Sequence, residues 1–89
     1  MSKFELGQIV ATPGALDTFS REELAKCLKR HSEGDWGDLD NEDKAANDDS
    51  LNPNHPGRLL SSYRLPSGKL YIITEWNRGV TTLLLPEEY

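Results

Sequence analysis

"RLLSSYRLPSGKLYIITEWNRGVTTLLLPEEY", residues 58–89, decides the fold of this 89-residue chain. Three runs rich in Leu, Ile, Val, Thr and Tyr are separated by Pro66-Ser67-Gly68 and Asn77-Arg78-Gly79, both with the composition of tight turns. They predict strands over 58–65, 69–76 and 80–85 in an antiparallel meander, with Gly79 at a positive-φ position. Alternation puts Leu70, Ile72, Thr74 and Trp76 on one face and Tyr71, Ile73 and Glu75 on the other. Both faces carry apolar residues, so helices are expected on one and something smaller, or a partner, on the other.

Before the meander, "NPNHPG" (52–57) has two prolines and a glycine and must be loop. Upstream of it, Asp40 is a good N-cap, and Glu42 and Asp43 lie in the first turn, where negative charge suits the helix dipole. A short helix is therefore expected from there to about residue 50. A stronger helix precedes it over 21–32. Ser20 and Glu23 form a capping box, and Phe19 and Leu24 have hydrophobic-staple spacing. Leu24, Cys27, Leu28 and His31 then share one face, Lys29, Arg30 and His31 crowd the last turn, and Gly34 is a stop. At the N-terminus, β-branched residues near 7–11 read as a short strand, stopped by Pro13-Gly14, and "ALDTF" as one helical turn. The expected class is α+β: the meander plus a short N-terminal strand, packed on two helices in one domain spanning 1–89.

The composition, 36% hydrophobic and 28% charged, is that of a folded globular chain. No apolar run approaches the ~20 residues that span a bilayer, and no signal-peptide pattern is visible. Cys27 is the single cysteine, so no internal disulfide can form, and a reducing, cytoplasmic setting is the expectation. The net charge of −5 is concentrated: residues 31–50 hold eight acids against Lys44, a balance of −7, which leaves +2 elsewhere. Direct nucleic-acid binding is disfavoured, because phosphate contacts need clustered Lys and Arg. A basic protein surface suits it better.

The acidic stretch does not fit a calcium loop. With Asp38 as position 1, position 6 is Asp43 where the loop needs Gly, and position 12 is Asp49 rather than Glu. Cys27, His31 and His55 lack the paired motifs of a zinc site, so neither metal nor cofactor is expected. Cys27 lies mid-helix, away from the terminus that stabilises thiolates, and His31 reads as a helix-end ring bonded to carbonyls or an acid. Asp35 and Trp36 stand between Gly34 and Gly37, and two roles compete for them. In one, Trp36 plugs the base of the sheet while Asp35 or Asp38 pairs with Arg58 or Arg78. In the other, Trp36 and Trp76 are aromatic anchors of a binding lip with arginines at its rim.

"IVATPGAL", "RHSEGDWGDLDNED", "RLLSSYRL" and "IITEWNRGVTTLLLPEEY" together resemble a family of small "plasmid-related" proteins carried on bacterial plasmids, integrating elements and phages. The likeness runs from Phe4 to Tyr89, although the family usually has Ala-Asp after "ITE" where this chain has Trp76-Asn77. The resemblance implies a function useful to a mobile element. The first expectation is a protein-binding module acting on a host or element-encoded protein through an acidic face containing Asp38, Asp40, Glu42 and Asp43. The second is a small-ligand or nucleotide-binding enzyme built on Asp35, Trp36, Arg58, Glu75 and Arg78, which requires those side chains to converge. No reaction motif names a chemistry, so the non-enzymatic reading leads. The third is an oligomeric scaffold that pairs through the second sheet face.

Overall fold

The computed structural model describes residues 2–89. Their order is β1 (Gln8–Ala11), α1 (Pro13–Thr18), α2 (Arg21–Ser32), α3 (Asn41–Ser50), β2 (Leu59–Leu65), β3 (Gly68–Thr74) and β4 (Val80–Leu84), closed by a 3-10 turn at Pro86–Glu88. The fold is α+β, with one four-stranded mixed sheet ordered β1-β4-β3-β2. The meander forms as expected, with Ser61 opposite Ile72 and Ile72 opposite Leu83. β1 joins it parallel to β4, Val10 beside Thr82.

Local signals set the helix ends. Thr12 caps α1 through the Ala15 amide, with Pro13 at its first position. The Ser20–Glu23 capping box starts α2 with both reciprocal bonds made. Asp40 caps α3 by accepting from the Asp43 amide at 2.8 Å. The calcium frame fails in space as well, because nine of its twelve residues, 41–49, belong to this helix.

α2 covers one face of the sheet. Leu24 and Cys27 pack with Phe19, Ala15, Tyr63, Leu70, Ile72 and Leu83 in a continuous core. Removing that apolar surface from water is the main favourable term, roughly 25 cal/mol per Å². Among the described residues, no α-helix packs on the opposite face. Ile73 and Leu84 are nevertheless buried there, and the C-terminal residues fold towards them, with Tyr89 edge-on to Tyr71 at 6.1 Å.

α3 is built differently. It buries only Asn47, and leaves Ala45 and Ala46 exposed. Apolar packing therefore does not hold it. Instead Asn47 clasps Leu60 of β2, donating to its carbonyl at 2.7 Å and accepting from its amide at 3.2 Å.

The second turn departs from expectation. β3 ends at Thr74, so Glu75 and Trp76 lie outside the strand. Arg78, not Gly79, takes the left-handed conformation, with φ 58°. The Asn77 side chain accepts from the Gly79 amide at 3.0 Å, while the Arg78 guanidinium is held by carbonyls on several segments. Those long-range bonds impose a backbone geometry that local propensity assigns to glycine.

Candidate functional site

The segment from Asp35 to Asp38 works as a strap along the outer edge of β2. Trp36 is 3% exposed, beneath the fold rather than on a lip. The Ser62 amide donates to the Trp36 carbonyl at 3.1 Å, and the Asp38 amide donates to the Ser62 carbonyl at 2.6 Å. Between them, Gly37 forms a parallel bridge with Ser62 at φ 79°, where an added Cβ would collide with the Ser62 carbonyl. Asp38 accepts from the Arg64 amide at 2.8 Å. With Asn47 on Leu60, the strap satisfies the amides and carbonyls that an edge strand otherwise leaves open.

Neither expected ion pair forms between this loop and the meander arginines. Asp35 is bound by Arg30, five residues upstream on α2, through Nε at 2.7 Å and a second nitrogen at 3.3 Å. That bond holds the Asp35 carboxyl below the usual carboxylate range and raises the Arg30 guanidinium. Arg58 pairs with Glu75 at 3.2 Å and donates to the Tyr89 hydroxyl at 3.1 Å. Both pairs are largely in solvent and contribute about 0–1 kcal/mol each.

A polar chain lies buried at the centre. His31 is fully buried, with Nδ1 2.5 Å from the Ser61 hydroxyl and Nε2 2.9 Å from the Thr74 hydroxyl. Thr74 continues to Thr81 at 2.7 Å, and Thr81 donates to the Leu6 carbonyl at 2.7 Å. Counting hydrogens fixes the tautomer. Thr81 spends its hydrogen on Leu6, so Thr74 donates to Thr81 and accepts from Nε2–H; bare Nδ1 then accepts from Ser61. Burial, reinforced by the charge of Arg78, pushes the His31 pKa down from 6.5 to about 4. Both ring nitrogens are engaged, which leaves no lone pair for a metal. The Ser61–His31 contact has the form of a nucleophile–base pair, but both residues are 0% exposed and no substrate reaches them. His31 thus bonds hydroxyls, not the carbonyls or acid expected of a helix-end ring. Its place in the Leu24–Cys27–Leu28 period was the signal for burial.

Cys27 is also buried, and burial pushes its thiol up. It is not activated.

Three rings seal this centre. Phe4 stacks on Trp36 at 6.1 Å and meets His31 edge-on at 5.3 Å, while His31 and Trp36 are 5.7 Å apart. The Arg78 guanidinium lies 5.7 Å over the other partner in the group, the Phe4 ring. Arg78 donates to the Gly57 carbonyl at 2.6 Å and the Ser50 carbonyl at 2.7 Å, tying loop 52–57 and the C-terminal end of α3 to the second turn. Above Phe4 opens a cleft of about 480 Å³, walled by Lys3 and Glu5, by Leu51, Pro53 and Pro56, and by Trp76, Asn77 and Arg78. Trp76 is 60% exposed at its rim.

The residues proposed from sequence therefore separate. Of Asp35, Trp36, Arg58, Glu75 and Arg78, only Arg78 lines the cleft. Of the acidic group, Asp38 and Asp40 are spent on the β2 edge and the α3 cap. Asp48 accepts from the Trp36 indole at 3.0 Å. Glu42, Asp43 and Asp49 remain exposed, with no side-chain hydrogen bond or ion pair among the described residues. Phe4 and the loop prolines were not expected at the cleft; only the sheet's closure onto residues 3–5 brings them there.

The class defined by this architecture is a small α+β domain with one helix-covered sheet face and a polar-docked third helix. No helix among the described residues is long and apolar enough to cross a membrane. Family models, curated proteins and solved structures were all compared with the chain, and none matches it.

Proposed function

We propose that the protein is a non-catalytic binding module of a mobile genetic element, which docks on a basic surface of a host or element-encoded protein through the outer face of α3. The observation that carries this reading is how α3 is held. Its inward contacts are polar and made by Asn47, Asp48 and the Ser50 carbonyl. Glu42, Ala45, Ala46 and Asp49, spaced as one helical face, are all exposed. Two alanines keep that face flat between the acids, so long Lys or Arg side chains of a partner can reach them. Opposite charge raises the encounter rate and fixes orientation. The mobile-element setting rests on the sequence resemblance alone.

The test is capture of partners from a bacterial lysate by the wild type and by the triple variant Glu42→Gln, Asp43→Asn, Asp49→Asn, at low and high salt. These positions spare Asp38, Asp40 and Asp48, which the fold uses. A partner lost in both the variant and high salt supports the reading; a partner set indifferent to both rejects it.

A second reading, ligand binding, is favoured by the cleft beneath Trp76. Trp36 is buried, so ligand-dependent quenching would report Trp76. A nucleotide panel that leaves the fluorescence of the wild type and of Trp76→Phe equally unchanged removes the nucleotide form of this reading.

A further inference from the structure

The two edges of the sheet are treated oppositely. On β2, Asn47, Trp36 and Asp38 meet the outward backbone groups of Leu60 and Ser62 and the Arg64 amide. Among the described residues, β1 has no such cover. The Gln8 amide donates to the Gly79 carbonyl and the Thr12 amide to the Leu83 carbonyl, both towards β4. Alternation then turns the amides and carbonyls of Ile9 and Ala11 away from the sheet, and none of them has a hydrogen-bond partner among the described residues. Ile9 is 49% exposed and Val10 37% exposed, and no residue from Leu6 to Thr12 is charged. An uncharged, apolar, open edge is a template for another strand, which proteins otherwise guard with Lys, Pro or a cover.

From this we infer that β1 is a self-association edge, whose occupant is β1 of a second copy, antiparallel about a two-fold axis at Val10. The register follows from which groups are free. Ile9 of one copy faces Ala11 of the other, and each such pair exchanges both of its backbone bonds. Val10 meets Val10 of the partner as the close, non-hydrogen-bonded pair on the sheet face that lacks a helix. On the other face the large Ile9 lies beside the small Ala11. With no charge in the segment, no like charges are opposed across the axis. The two four-stranded sheets become one of eight strands. This differs from pairing through the second sheet face, where Tyr89 and Tyr71 already pack together.

Sedimentation equilibrium of the full chain, from micromolar to millimolar, tests the inference together with amide hydrogen exchange. The expected result is a reversible dimer of the 10.0 kDa chain, with Ile9 and Ala11 amides protected more strongly as concentration rises. Val10→Lys, which opposes two ammonium groups at the axis, should be monomeric throughout. Ile9→Pro should be too, since it deletes an outward amide and leaves the bonds to β4 intact. A wild type that stays monomeric at every concentration overturns the inference. So does a dimer in which the Ile9 and Ala11 amides exchange as fast as in dilute solution, a result that needs no variant to fold.

Discussion

Acidification should destabilise the protein through His31 before carboxylate protonation dominates. In the folded chain the ring sits between Ser61 and Thr74 without water, and its pKa is lowered from 6.5 to about 4. Between those values the unfolded chain binds a proton that the native state refuses, so stability falls as pH drops from about 6.5 and the loss is complete near pH 4. At 1.36 kcal/mol per pKa unit, the full penalty is about 3 kcal/mol. Set against a typical domain stability of roughly 5–15 kcal/mol, that is a large fraction. A second proton would also have to displace the Ser61 hydroxyl hydrogen from Nδ1. The assay is urea unfolding at half-unit steps from pH 7.5 to 3.5, for the wild type and His31→Gln. Glutamine cannot titrate, so carboxylate effects common to both chains cancel in the difference. The wild-type curve should fall more steeply by about 3 kcal/mol over the window. Parallel curves, or a native His31 imidazole that titrates near 6.5 by NMR, would refute the reasoning.

Three further substitutions probe the devices that hold the site. Gly37→Ala puts a Cβ at φ 79° against the Ser62 carbonyl and should cost about 3 kcal/mol or more in urea unfolding, whereas a loss below about 1 kcal/mol would mean the strap yields. Asn47→Ala removes both bonds to Leu60 and should cost about 2 kcal/mol, with faster exchange of the Leu60 amide; unchanged exchange would show that α3 is not held there. Arg78→Gln frees the Ser50 and Gly57 carbonyls and removes the charge that helps depress His31. Its His31 pKa should rise part of the way towards 6.5, and amides in loop 52–57 should lose protection; a pKa that stays near 4 would leave burial as the sole cause.

Much of the fold was legible because its signals are short-range. The capping box at Ser20 and Glu23, the cap at Asp40 and the turn at Pro66-Ser67-Gly68 each act within a few residues. Their outcomes depend little on the rest of the chain. The candidate site was less legible. Asp35 was expected to find Arg58 or Arg78 and instead binds Arg30, because the α2 terminus folds that guanidinium back onto it. The turn glycine at 79 yielded its left-handed role to Arg78, whose side chain is held by carbonyls distant in sequence.

By itself, then, the sequence determined the helices, the meander and the concentration of acid between residues 31 and 50. The tertiary structure alone decided that β1 lies parallel to β4, leaving one edge open, and that the strap seals the other. It also decided which acids the fold consumes and which three, Glu42, Asp43 and Asp49, are left exposed with no side-chain hydrogen bond or ion pair among the described residues. The physical reason is common to all of these. Propensity and capping are properties of neighbouring residues, whereas the partner of a buried or edge hydrogen-bonding group is chosen only when distant segments meet.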